Sequence, residues 1–173
     1  MEQFQERVIR AFKLDPTLYR ELKADETSTD QAGAVVVLAA VAAGIGNVAA
    51  GGLQGIALGT LLALLGWYVW AYLCYAIGTH FLGEEHTRAT HAVLLRTLGF
   101  ASAPGMLRIL GFNQALFIPV NLLAGIWMLV AMVIAVQQAF AFSTPWRAIA
   151  VCVTGQVIQV LLILLLVVLA GGD

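Results

Sequence analysis

The sequence predicts an all-α integral membrane protein, a five-transmembrane-helix bundle preceded by short N-terminal amphipathic helices, and three observations predict it. Residues 31 to 170 are almost uninterruptedly apolar, broken only at a few short polar points. The composition agrees: 61% of the 173 residues are hydrophobic and 11% charged, with a mean hydropathy of +0.89, whereas ordinary globular chains carry roughly 25% charged residues. The basic residues, finally, fall almost entirely on one side of the alternation that the breaks define.

The first thirty residues are a separate cytoplasmic amphipathic segment. Phe4, Val8 and Phe12 recur every four positions, one helical stripe, with Glu6, Arg7, Arg10 and Lys13 largely off it. Asp15-Pro16 reads as a restart, with Asp as N-cap and Pro at the first helical position. Leu18, Tyr19 and Leu22 then form a second apolar face. Two placements stay open for this pair, flat in the cytoplasmic interface or docked on the protein's own spans. The start lacks the apolar core of a cleavable signal, so the first span is expected to serve as the insertion signal.

A helix crossing a hydrocarbon layer of about 30 Å needs around 20 mostly apolar residues. Five stretches qualify, at about 31–50, 55–80, 92–110, 117–139 and 147–170, leaving an external tail at 171–173. The third is the weakest, since it carries Arg96, Gly99, Pro104, Gly105 and Arg108, and a re-entrant hairpin competes with a span there. Charge asymmetry decides for five. Lys and Arg near span ends mark the cytoplasmic side, and five spans put Arg7, Arg10, Lys13, Arg20, Lys23, Arg88, Arg96 and Arg147 together with the N-terminus, leaving Arg108 alone on the other face.

Within the spans, small residues recur every four positions at Ala42, Gly46 and Ala50, and again at Gly51, Gly55, Gly59 and Ala63. Such spacing lets two helix backbones approach closely. It predicts a tight hairpin of spans one and two, with the partner of the glycine face either inside the chain or in another protein. Pro104 is expected to kink span three, because it removes a backbone hydrogen bond and crowds the preceding turn. Thr144-Pro145 opens the last span, with Trp146 and Arg147 anchoring its cytoplasmic end.

Catalytic signatures are missing. Cys74 and Cys152 lie within spans and read as small buried hydrophobes. No His-Glu-x-x-His, Gly-x-Ser-x-Gly or phosphate-binding glycine run occurs, and Ser102 has no adjacent base. His80, His86 and His91, with Glu84, Glu85 and Arg88, crowd one cytoplasmic loop. Imidazole and carboxylate together make a plausible zinc shell, but the spacing fits no zinc motif, and a solvated turn is the simpler reading. No cofactor is expected.

Intramembrane polar residues are the sharper functional clue, because each is costly unless paired or facing water. Asn47, Gln54, Arg108, Asn113, Gln114 and Asn121 fall near the outer ends of spans one to four, and Gln156 and Gln159 share a face of span five. Two readings stand: interhelical hydrogen bonds worth about 0.6–2 kcal/mol each, with Arg108 snorkelling, or a polar vestibule or path built from Asn47, Arg108, Asn121, Gln156 and Gln159. No Asp or Glu occurs inside a span, which disfavours a proton-coupled carrier.

The run Leu95-Arg-Thr-Leu-Gly-Phe-Ala-Ser-Ala-Pro-Gly-Met-Leu107, then Ile118-Pro-Val120, Gly125-Ile-Trp-Met-Leu-Val130 and Ala135-Val-Gln-Gln-Ala-Phe-Ala-Phe-Ser-Thr-Pro-Trp-Arg-Ala-Ile149, resembles bacterial members of the Yip-domain family. These are five-span membrane proteins named for eukaryotic relatives that bind Ypt/Rab GTPases. The similarity covers roughly residues 10 to 170. The family's basic residue in the fourth-span exit is Gln137 here, and the acidic residue that often comes after it is Ala141, so no role of that charged pair carries over. Nor does GTPase binding, since the long cytosolic N-terminus of the trafficking members has no counterpart.

The resemblance implies a five-helix module of the bacterial inner membrane without enzymatic residues. The resulting expectation is a non-enzymatic scaffold or accessory subunit that binds other membrane proteins or organises lipid. Its partners would be the lipid bilayer and other membrane proteins or a second copy, with no nucleic acid. A transport component is the alternative, and a haem or metal protein a weaker one.

Overall fold

The computed structural model describes residues 2–46, 48–83 and 89–170. Every regular element among them is helical: α1 (Glu2–Phe12), α2 (Pro16–Ala24), α3 (Ser28–Gly46), α4 (Val48–His80), α5 (His91–Ala101), a 3-10 helix (Ala103–Phe112), α6 (Gln114–Phe140) and α7 (Pro145–Ala170). Five helical segments are long and apolar enough to cross a membrane, with α5 and the 3-10 helix together forming the third.

The N-terminal pair is built by local polar chemistry and docked by apolar burial. Asp15 caps α2 by accepting from the Thr17 amide at 2.9 Å and the Thr17 hydroxyl at 2.7 Å. Arg10 reaches both Asp15 (2.8 Å) and Glu21 (2.7 Å). Arg7, almost wholly buried, donates to Asp25 at 2.7 Å and to Gln31 at 3.0 Å, tying α1 to the start of α3. Ala11, Leu18, Tyr19 and Leu22 are fully buried. The Trp127 indole of α6 donates to the Phe12 carbonyl at 3.0 Å, Arg96 of α5 donates to the Lys23 carbonyl at 3.2 Å, and the Phe4 ring stands 6.5 Å from that of Phe100. Of the two placements open to this segment, the structure has it docked on the protein's own spans.

The third segment, the least hydrophobic of the five, is the central one. Within the protein 67% of it is buried, against 11% for the second and fourth. It lies between α3 and α6. The cost of turning Arg96 towards hydrocarbon favours the position, because there its guanidinium meets the Lys23 carbonyl of α2, while Thr97 and Ser102 are satisfied within their own helix. Thr97 returns its hydroxyl to the Val93 carbonyl at 3.0 Å, and Ser102 to the Gly99 carbonyl at 2.6 Å.

Small residues make that central position sterically available. A methyl group added at Gly99 would stand 2.7 Å from the Ala32 methyl and 3.0 Å from the Ala32 carbonyl oxygen; one at Gly105 would meet Met128 Sδ at 3.0 Å and the Ala39 methyl at 3.3 Å. The facing surfaces are alanine stripes, Ala32, Ala39 and Ala42 on α3 and Ala124, Ala131 and Ala135 on α6, all buried. Close backbone approach of this kind holds helices together where lipid is as apolar as leucine.

At Pro104 the third segment changes helix type. The α-helix ends at Ala101, Pro104 stands in the first turn of the next helix, and that helix runs for ten residues in 3-10 form, well beyond the three or four usual for that type. Proline lacks the N–H for an α-helical bond and would crowd the carbonyl four residues back. The tighter winding rises about 2.0 Å per residue rather than 1.5 Å, so this short segment gains reach and carries Arg108 to the far end of α3. There the Arg108 carbonyl occupies the place a Gly46 side chain would need.

Candidate functional site: a polar cleft inside the bundle

The helices form an open cavity of about 480 Å³ lined from α3, α4, the third segment, α6 and α7, with a second, shallower one of about 370 Å³ along α6. Arg108, Met128, Met132 and Gln156 line both, so the two form one cleft around the Arg108 side chain. Each wall has a sequence origin. Pro104 begins the 3-10 helix that carries Arg108, Gly46 lets that helix cross α3 at backbone contact, and three-residue spacing puts Gln156 and Gln159 on one face of α7.

The polar groups of the cleft divide into satisfied and unsatisfied. Ser102 is bonded to its own helix, and Asn121 donates to the Phe117 carbonyl at 2.8 Å. Arg108 is half-buried, its Nε sealed from solvent with no acceptor, and its side chain forms no hydrogen bond or ion pair with any described residue. The side chains of Gln156 and Gln159 likewise form none among the described residues. The Trp70 indole nitrogen, on the cavity wall, is also buried without an acceptor.

The structure thus brings Arg108, Asn121, Gln156 and Gln159 to one place, while Asn47 lies outside the described residues. Trp67 and Trp70 of α4 and Met128 and Met132 of α6 complete the walls. Their spacings of three and four mark single helical faces, a signal that was present in the sequence and outweighed by the apolarity around it. The lining residues include no Asp, Glu, His or Lys. Among the described residues the cleft therefore offers a permanent cation, neutral amides and apolar walls, a set suited to binding.

The glycine face lies beside this cleft. The hairpin of α3 and α4 closes through Gly44 against Ile56, where an added methyl would stand 2.9 Å from the Ile56 side chain. Gly55 and Gly59 have nothing within 4 Å of an added methyl, and Gly59 sits on the rim of the larger cavity. Gly51 lies in the first turn of α4, next to a break at Gly52, whose φ of 56° is left-handed and favours glycine.

The two described histidines, His80 and His91, have separate partners. His80 approaches the Thr79 hydroxyl at 2.9 Å and the Ala76 carbonyl at 3.1 Å, and His91 packs edge-on against Tyr68 with centroids 4.8 Å apart. His86 lies outside the described residues. No group of three His, Cys, Asp or Glu positioned to hold a metal exists among the described residues. Cys74 and Cys152 are buried free thiols.

No curated protein and no solved structure shows a significant match to the chain. The Yip1 domain family model matches residues 15–170, from the cap of α2 to the end of α7. Five membrane-length helices, a polar third segment at the centre and a match over nearly the whole length agree: the chain belongs to the Yip1 domain family.

Proposed function

We propose that this protein is a non-catalytic membrane scaffold or accessory subunit that binds another membrane protein along the open face of α4. One observation carries the reading: Gly55 and Gly59, one helical turn apart, leave the α4 backbone uncovered, and a methyl added at either would meet nothing outside its own helix backbone within 4 Å. A partner helix gains most from such a surface, since close backbone contact takes the place of the absent hydrophobic drive. The exposed leucines Leu58, Leu61, Leu62 and Leu65 flank it and supply the rest of the contact. Gly46, by contrast, is used within the chain, against Arg108. The basic residues support a topology with the N-terminus in the cytoplasm and the C-terminus outside.

Mild-detergent purification from native membranes tests this. The expected result is a stoichiometric partner or a defined homo-oligomer, lost in Gly55→Leu and Gly59→Leu while the fold persists. A monodisperse, partner-free monomer overturns it. The cleft supports a second reading, a transport component, for which solute flux in proteoliposomes must respond to Arg108→Ala and Gln156→Leu.

A further inference from the structure

We propose that the cleft around Arg108 is a binding site for an anionic, phosphate-bearing amphiphile, the headgroup on Arg108 and the α7 glutamines and the chain along the apolar walls. The site adjoins the helix-docking face, with Gly59 and Leu62 common to both, and rests on Arg108 and the α7 glutamines, which that face does not use.

Charge selects the headgroup. Among the described residues, Arg108 is the one cationic side chain lining either cavity, and no carboxylate lines them. A guanidinium stays protonated under all ordinary conditions. Half-buried among Met128, Met132 and Ala43, it holds its charge where isolation is most costly. Its Nε has neither solvent nor acceptor. A ligand that brings the missing anion relieves that cost, and the planar fork of donors matches two oxygens of a phosphate.

The amides add further donors and acceptors. Gln156 and Gln159 enter the cavity from one face of α7 and have no partner among the described residues. Amide side chains that find no partner within their own helix are costly in hydrocarbon until a group from outside it meets them. Ester and phosphate oxygens accept from them, and headgroup hydroxyls donate to them.

The walls select an amphiphile over a free anion. Val36, Ala39, Ala40, Leu62, Ala63 and Leu98 make the larger cavity predominantly hydrocarbon, and its volume of about 480 Å³ falls within the roughly 300–1,000 Å³ of ordinary ligand pockets. Access points to the bilayer as well. Leu122, Ile126 and Leu129 line the smaller cavity and are also half or more uncovered by protein, 63%, 54% and 50% exposed. A chain in the surrounding lipid therefore reaches Arg108 without passing through water.

The test is a titration of the full chain in neutral detergent, read by native mass spectrometry, with phosphatidylglycerol and phosphatidylcholine of equal chain length. One phosphatidylglycerol should bind with about a tenfold preference, equivalent to about 1.4 kcal/mol. Arg108→Gln should bring the two lipids within about twofold of each other, whereas Arg108→Lys, which keeps the charge, should retain a preference of at least about threefold. Equal binding of both lipids by the wild type, or an undiminished preference in Arg108→Gln, overturns the proposal. Inorganic phosphate in about hundredfold excess should not displace the lipid; displacement would make the free anion the ligand and overturn the amphiphile. Should Arg108→Gln fail to fold, Gln156→Leu and Gln159→Leu carry the same test, each expected to weaken phosphatidylglycerol by about threefold or more. Unchanged affinity in both defeats the site.

Discussion

Replacing Gly99 and Gly59 by alanine, one at a time, should move stability in opposite directions. In a helix interior alanine is favoured over glycine by about 0.5–1 kcal/mol, so each substitution begins with that gain. At Gly59 nothing opposes it, because no atom lies within 4 Å of the new methyl. At Gly99 the methyl meets the Ala32 methyl at 2.7 Å and the Ala32 carbonyl oxygen and carbon at 3.0 and 3.1 Å. Two of those atoms are backbone and cannot rotate away, so α3 and α5 must separate. Overpacking of a close-packed site costs about 1–3 kcal/mol, which leaves Gly99→Ala destabilised by about 0–2.5 kcal/mol, centred near 1, once the helical gain is deducted. Gly59→Ala should be stabilised by about 0.5–1 kcal/mol. Equilibrium unfolding of the detergent-solubilised protein, followed by far-ultraviolet circular dichroism, separates the two. A Gly99→Ala protein stabilised like Gly59→Ala would refute the close packing of the third segment on α3, and a weakened Gly59→Ala protein would refute the open glycine face of α4.

The docked N-terminal helices lead to three further outcomes. Trp127→Phe keeps the ring that packs edge-on against Phe12 but leaves the Phe12 carbonyl without its donor, and should cost about 1 kcal/mol in the same unfolding measurement. Arg7→Met breaks the contacts with Asp25 and Gln31, and should raise hydrogen exchange across residues 2–24 while leaving α6 protected. Acid should loosen the same segment: the hydrogen bond from the Thr17 hydroxyl, then that from Arg10, hold the Asp15 carboxyl at about 2, below its ordinary 3.8. A carboxyl depressed on folding contributes stability above its ordinary pKa and loses it as pH falls through the folded value. Exchange in residues 2–24, corrected for its intrinsic pH dependence, should therefore rise between about pH 4 and 2, with the Asp15 part of that rise absent in Asp15→Asn.

Much of the site was legible because cost in lipid is a property of single residues. Arg108, Asn121, Gln156 and Gln159 stood out one by one as groups that hydrocarbon does not tolerate, and the fold gathers them in one cleft. Asp15-Pro16 announced the cap that Thr17 completes, since capping needs only neighbours in sequence. The contacts of the glycines were less legible. Gly46 and Gly59 carry the same spacing signal, yet one lies against the Arg108 backbone and the other opens outward. A four-residue repeat states that close approach is permitted and does not state what approaches.

The sequence by itself determined the class, the presence of five membrane-length helices and the family to which the chain belongs, because each depends on length, hydropathy or motif along the chain. Tertiary structure alone decided that the most polar span is central, that alanine stripes on α3 and α6 receive it, that α1 and α2 dock on the bundle, and that Arg108 shares a cleft with Gln156. The physical reason is the solvent. In water an apolar stripe distinguishes inside from outside, but in a bilayer leucine is at home on either face. Which side of a spanning helix meets protein is then set by shape and by the few polar groups, and those are decided only when the helices are brought together.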